Sequence, residues 1–430
     1  MPNVSPLQLL NGAQSAAGNG ATGTQSPAQP LQLQDFRMDQ AIPPHHASQA
    51  EAPDAPGAGR DRRVALVLQG GGALGAFQAG VYQALEEGGL APDWIAGVSI
   101  GALNGALIAG NPPERRLAAL REFWNTVTTE RLWPFGLELP EALDGGDWLR
   151  QWRHEASAAL TMLSGQPGFF TPNVPSPWFS AAGMTTASAF YDSAPLRGTL
   201  RRLVDWGRLN NGSIRFSVGA VNVASGNFAY FDSVRTRIGE EHVMASGALP
   251  PALPMVRVDG ECFWDGGLVS NTPLSHLLEN LECRDTLAFQ VDLFSARGEV
   301  PRSMPAVLAR QKDIQYSSRT RMVTDAYRRQ RELELELRRA LALVPEERLD
   351  EAQRNLRQRL DSLPAVVLLQ LIYRKQAHEG QAKDYEFSTG AMREHWKAGL
   401  EDTRATLRRR GWLEMPPEGS CMRVHDIHRG

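Results

Sequence analysis

The chain has 430 residues, 42% of them hydrophobic and 22% charged, with a formal net charge of −3. That length supports a sizeable core in one large domain or two ordinary ones, and the near-neutral balance gives no whole-protein attraction to nucleic acid or to an anionic membrane. Only Cys262, Cys283 and Cys421 occur; their spacing suits neither a disulfide framework nor a zinc site, which fits reduced thiols in a cytoplasmic setting.

Residues 1–60 are rich in Gly, Ala, Pro, Gln and Ser. They have too little apolar area to offset their ordering entropy and read as a disordered leader. Within it His45-His46 has no Cys or carboxylate cluster beside it, so a metal site is not expected there. The start lacks the basic and apolar regions of a secretory signal, and no uncharged apolar run reaches the ~20 residues of a membrane helix. Any contact with lipid is therefore expected to be peripheral, from the water side.

Order is expected to begin abruptly at Val64. Residues 64–68, Val-Ala-Leu-Val-Leu, have the continuous apolar text of a strand buried on both faces. Gly70-Gly71-Gly72-Ala73-Leu74-Gly75 follows, then a helix from about Ala76 to Glu87 that stops at Gly88-Gly89. Trp94-Ile95-Ala96-Gly97-Val98 is a second strand, and after Ser99 a small-residue helix runs to about Ala109. This βαβα unit implies a parallel sheet covered by helices. Another helix is predicted over 114–127. Residues 130–180 carry Trp133, Trp148, Trp152 and Trp178 among many Pro and Gly, and read as an irregular aromatic-packed insertion or as a lid over the active site. Strand signals return at 214–223, 227–231 and 287–293. From 297 to 415 the text is Arg- and Glu-rich and helical, as at 331–339 and 346–360, with one apolar run at 366–373 that fits an added strand. Residues 416–430 form a tail.

Gly97-Val98-Ser99-Ile100-Gly101 is a G-x-S-x-G elbow, set after a buried strand and before a small-residue helix. The turn must be sharp enough to lift the serine oxygen above the sheet, with the helix's positive end beneath it. Read alone, Ser99 is equally a helix N-cap. The glycine run also matches a dinucleotide fingerprint, but that reading needs an acidic residue at the end of the second strand. Asp93 precedes that strand instead, so the N–H groups of Gly70, Gly71 and Gly72 read better as an oxyanion hole. Of nine histidines, His276, His378, His395, His425 and His428 lie downstream of the acidic candidate, and none follows a clear buried strand in a short loop. Phe263-Trp264-Asp265-Gly266-Gly267 delivers an aspartate from a strand end into a glycine turn, where it can act as base to a serine without an imidazole.

Together these stretches resemble the patatin-like phospholipase family. Gly70 to Gly75 looks like its oxyanion motif, Gly97 to Gly101 its nucleophile elbow, and Asp265-Gly266-Gly267 its dyad acid. Met244-Ala245-Ser246-Gly247-Ala248-Leu249-Pro250 and Asn271-Thr272-Pro273-Leu274 resemble two further family segments. The resemblance runs from about Val64 to Leu293. It implies a three-layer α/β/α patatin-like fold with a mostly parallel central sheet, a catalytic domain over 61–296 and a helical C-terminal extension over 297–415. It also implies hydrolysis of lipid acyl esters through an acyl-serine. By carry-over, Ser99 attacks, Asp265 takes its proton, and the N–H groups of Gly71 and Gly72 stabilise the oxyanion. Gly75, Gly97, Gly101, Gly266 and Gly267 support the motifs, and no metal or other cofactor is expected. One departure is Leu74, which stands where many family members carry Arg or Lys. The text around Phe387-Ser388 and 392–396 resembles an extension found in a bacterial subgroup, to which no chemistry is assigned. Three rival readings remain: a short-chain or polyester esterase with the same dyad, an inactive lipid-binding protein, and a secreted effector attacking host membranes.

Overall fold

The structure is a computed structural model that describes residues 62–128, 161–317, 320–374, 379, 383–417, 420 and 422–426. The leader with His45-His46, the residues Trp133, Trp148 and Trp152, and also His378, Cys421 and His428, lie outside the described residues. So do 418–419 and 427–430 of the tail.

In chain order, β1 (Arg63–Leu68) leads to α1 (Ala76–Glu87), β2 (Trp94–Val98), α2 (Ile100–Ala109) and α3 (Pro113–Val127). A two-stranded ribbon, β3 (Thr171–Pro172) with β4 (Tyr191–Asp192), precedes α4 (Ala194–Leu203) and α5 (Trp206–Asn211). Next come β5 (Arg215–Asn222), β6 (Phe228–Asp232), α6 (Glu240–Ser246), β7 (Val256–Val258), β8 (Glu261–Asp265), α7 (Leu274–Glu279) and β9 (Thr286–Asp292). The C-terminal part contributes α8 (Met304–Tyr316), α9 (Thr320–Ala342), α10 (Glu351–Asp361), β10 (Val366–Ile372), α11 (Thr389–Arg408) and β11 (Met422–Asp426).

The main sheet follows the hydrogen-bonded path β11, β10, β9, β1, β2, β5, β8, β7, with β6 also on β5. From β11 to β5 all pairings are parallel, and the pairings of β6, β7 and β8 are antiparallel. Parallel strands are covered on both faces and must be apolar on both. Every residue of β1 and of β9 is buried. Alternate residues of β1 enter two separate cores: Val64, Leu66 and Leu68 pack with Phe77, Leu103, Phe123 and Trp124, whereas Ala65 and Val67 pack with Leu274, Leu277 and Tyr327. One core thus lies against α1, α2 and α3 and the other against α7 and α9, which makes three layers. Each fully buried Leu or Phe in them contributes about 1.5–3 kcal/mol of transfer free energy.

The C-terminal extension over 297–415 is mostly helical, with its apolar run as the strand expected there. That strand, β10, is paired with β9 along its full length, and β11 extends the sheet further. The helix α11 crosses α1 with backbones in contact. A β-carbon on Gly80 would collide with the Trp396 carbonyl, and one on Gly399 with the Phe77 carbonyl. The aromatic stretch is only partly packed: Phe169 and Phe170 meet other rings, but Trp178 and Phe179 are more than four-fifths exposed.

Strand β5 has three partners. β2 pairs with 215–219 and β6 with 217–221, so these two occupy opposite edges. β8 pairs with 220–222, overlapping β6 but not β2. It therefore shares β2's edge and begins where β2 stops.

Candidate active site

β2 ends at Val98 and α2 begins at Ile100, so the chain turns within Ser99, at φ 55° and ψ −125°. A serine held there stores strain of order 1–3 kcal/mol, which surrounding contacts must over-determine. They do. The Ser99 N–H donates to Ser246 Oγ at 2.9 Å, and Ser246 Oγ donates to the Gly219 carbonyl at 2.6 Å. The Ser99 carbonyl accepts from the N–H groups of Ala102 and Leu103 at 2.9 and 3.2 Å. Gly97 packs on the Gly101 backbone and Gly101 on the Leu68 carbonyl, approaches that leave no room for a side chain. Ser99 is partly exposed between buried Val98 and Ile100, above the positive end of a ten-residue helix that is buried throughout.

Asp265 is the last residue of β8 and is 3% exposed. Val98 is opposite Gly219 and Asp265 is opposite Ala220 on the same edge of β5, so the two strand ends meet. A β-carbon on Gly266 would stand 3.0 Å from Val98 and 2.7 Å from the Gly219 carbonyl oxygen, which reports the same junction. The Asp265 carboxylate accepts from the Ser99 side chain, and from the Gly267 N–H at 2.7 Å. Burial pushes its carboxyl up to about 6, against the opposing pull of those two hydrogen bonds. The described downstream histidines are engaged elsewhere. His276 meets Asp232 at 3.2 Å, His395 meets Glu379 at 2.7 Å, and His425 stacks on Trp412.

The glycine run forms a tight turn over Gly72–Gly75 at the C-terminal end of β1. Gly70 adjoins Ser99, since a β-carbon on it would stand 3.0 Å from the Ser99 β-carbon. Its N–H, however, donates to the Asn271 carbonyl at 3.1 Å. That removes Gly70 from the expected set of oxyanion donors, and its part is close approach. The N–H groups of Gly71 and Gly72 have no hydrogen-bond partner among the described residues, and both glycines are partly exposed. Gly72 has φ +55°, and a β-carbon there would collide with the Asp384 carbonyl oxygen. Gly75 packs on Ile100 and accepts Asn104 Nδ2 at 2.9 Å, while Leu74 is fully buried and brings no cation to the turn.

Several residues at the site carry no role in the sequence reading. Gln69 Oε1 accepts from the Leu293 and Phe294 N–H groups at 2.5 and 2.9 Å, and its Nε2 donates to Thr272 Oγ1 at 2.9 Å. Asn271 Nδ2 donates to the carbonyls of Gly70 and Tyr316 at 3.1 and 3.0 Å. Ser246 and Asn271 lie in segments that resemble the family, 244–250 and 271–274, and so carry a sequence signal; Gln69 offers none beyond its place before the glycines. The C-terminal part also reaches the site. Burial and the charges of Asp265 and Asp384 push the Tyr316 phenol up, and Tyr385 is raised by burial and by the same carboxylates. Among the described residues no group of three or more His, Cys, Asp or Glu side chains could hold a metal ion, and no helix is long and apolar enough to cross a membrane.

The sequence matches the family described as patatin-like phospholipase over residues 66–278 and a second one described as patatin phospholipase over 314–419. A lysophospholipase nte1 of Aspergillus niger is 25% identical over 218 residues, which is 50% of this chain and 11% of that protein. Its Aspergillus terreus counterpart is 62% identical over 48 residues, 11% of this chain and 3% of that protein. Human patatin-like phospholipase domain-containing protein 6 is 42% identical over 71 residues, 16% of this chain and 5% of that protein. The chain thus spans a small fraction of these relatives' length. Among solved structures, human GIVD cytosolic phospholipase A2 overlays at a TM-score of 0.36 with 13% identity, covering 82% of this chain and 59% of that one. VipD from Legionella pneumophila gives 0.34 with 13% identity, covering 80% and 66%. Scores this low bear no weight in the assignment, which rests on the two family matches: the first contains the elbow, the glycine turn and Asp265, and the second contains Tyr316, Asp384 and Tyr385. The chain belongs to the patatin-like phospholipase family.

Proposed function

We propose that the protein hydrolyses lipid acyl esters with Ser99 as nucleophile and Asp265 as its base. The observation that carries this reading is the meeting of two strand ends on β5, which sets Ser99 against a buried carboxylate that accepts from its side chain and from the Gly267 N–H. In the first step Ser99 Oγ bonds to the ester carbonyl carbon while its proton passes to Asp265. The N–H groups of Gly71 and Gly72 receive the negative charge that develops on the carbonyl oxygen. Collapse of the tetrahedral adduct breaks the bond to the alcohol oxygen, which takes the proton from Asp265 and leaves an acyl-serine. Water then attacks, Asp265 accepts its proton, and that proton returns to Ser99 as the acid departs.

Two observations favour lipid over a small soluble ester. Leu268 and Val269, immediately after the Asp-Gly-Gly turn, are 43% and 59% exposed. The α8 helix likewise turns Met304, Val307, Leu308 and Ile314 toward solvent. Exposed apolar side chains beside a catalytic pair suit a substrate presented in an aggregate. The lysophospholipase and phospholipase names of the relatives agree with that substrate class.

The test is hydrolysis of nitrophenyl esters of increasing chain length, then of phospholipid vesicles. Ser99→Ala is expected to lower kcat about 10⁴-fold and Asp265→Ala about 10³-fold, with a long-chain optimum in the wild type. Mutants as fast as wild type would remove both assignments, and a short-chain optimum would move the substrate to the polyester class.

A further inference from the structure

The C-terminal part lies against the glycine turn, and two ion pairs clasp together the two of its segments that reach the site. Lys312 Nζ is 2.5 Å from Asp384 Oδ1, and Lys383 Nζ is 2.8 Å from Asp313 Oδ1. Adjacent residues of α8, Lys312 and Asp313, thus pair crosswise with adjacent residues of the turn Lys383–Tyr385. Both ammonium groups also lie over rings: Lys312 over Tyr385 at 4.9 Å and Lys383 over Phe294 at 5.3 Å. The Lys383 and Asp384 side chains are 4% and 10% exposed, well inside the regime where paired charges are weakly screened. The clasp touches the site from two sides. The Asp384 carbonyl fills the space a side chain on Gly72 would need, and the α8 C-terminal carbonyl, that of Tyr316, accepts from Gln69 and Asn271 at 3.2 and 3.0 Å. Phe294, beneath Lys383, also borders Gly71.

We propose that Lys312, Asp313, Lys383 and Asp384 are positioning residues that seat the Asp384 carbonyl against Gly72 and so fix the aim of the Gly71 and Gly72 N–H groups. This rests on the reading of that turn as the oxyanion hole. A donor that must point at a charge present only in the transition state contributes through its preorganisation, so loosening its seat lowers kcat and leaves ground-state binding unchanged.

The experiment compares Lys312→Glu, Asp384→Lys and the double reversal. Each single variant is expected to lower kcat about tenfold, less than the 10²–10³ that loss of a donor brings, with KM within about twofold. Affinity for a trifluoromethyl ketone analogue, which forms a tetrahedral adduct with the serine, should fall by the same factor as kcat. The double reversal should recover most of the loss. Hydrogen exchange at 70–75 and 383–385 should quicken in the single variants and slow again in the double. Unchanged kcat and exchange in the single variants would overturn the proposal, as would a folded double reversal no faster than either single. If charge reversal prevents folding, Lys312→Met and Asp384→Asn carry the same comparison, with an unchanged kcat overturning it. Wild-type turnover in Ser99→Ala would instead sink the serine reading, and exchange at 70–75 would then decide the clasp by itself.

Discussion

Asp265 is ionised only against its surroundings: its carboxylate is buried and receives a serine hydroxyl and one backbone N–H. Raising its carboxyl to about 6, from roughly 4 in an unfolded chain, means the folded state holds the proton more tightly. The associated stability is present below pH ~4 and lost as pH rises through about 6, beyond which the ionised group burdens the fold by on the order of 3 kcal/mol. A base works only when ionised, so rate and stability move in opposite directions across that window. The kcat/KM profile is expected to show an acid limb near pH 6. In urea titrations, Asp265→Asn should be inactive yet more stable than wild type at pH 8 by roughly 1–3 kcal/mol, the difference shrinking toward pH 4. Ser99, at φ 55°, carries a backbone cost of its own. Ser99→Gly should abolish turnover and raise stability by about 1 kcal/mol, measurable as a higher midpoint of thermal unfolding.

The α1 and α11 helices cross at two glycines whose neighbours are carbonyl oxygens and cannot swing aside. Gly80→Ala is therefore expected to destabilise by roughly 1–3 kcal/mol despite alanine's better helix propensity, whereas Ala at Gly390, where the space is open, should not; chemical denaturation of both variants checks the contrast. Gly80 and Gly399 look in sequence like ordinary helix weak points, because the reason for each lies more than 300 residues away. Where the signal is local, the sequence was legible: β1, α1, β2 and α2 follow from apolar runs and glycines within fifty residues. The predicted helix over 346–360 instead splits into a turn at Glu346–Arg348 and α10, because Asp350 caps the helix and Gln353 reaches back to it. The Asp350-x-x-Gln353 signature marks that boundary in the sequence. Strands β7 and β11 were not legible; one is three residues long, and the other, Met422–Asp426, mixes charged and apolar residues.

For the whole molecule, the segment over 61–296 does not stand alone. Ending the chain there would strip β10 from β9, whose seven residues are all buried, and α11 from α1. A protein of residues 62–296 is expected to lose cooperative urea unfolding and to aggregate, while 62–426 keeps a single transition; size exclusion and circular dichroism would separate the two outcomes. The proposed pair is legible in motifs, but the C-terminal contribution to the site is not, since Tyr316 and Asp384 reach it only through tertiary packing. Ser99 and Asp265 share no backbone segment of their own. They are brought together by β5, against which β2 stops at Gly219 and β8 at Ala220. That strand acts as a ruler with both marks on one edge. One residue inserted between the marks would part the pair by about 3.3 Å and turn the displaced strand's side chains to the other face of the sheet. Under the proposed chemistry, substrate range can therefore change through the walls and the C-terminal seat, but not through the spacing of Ser99 and Asp265.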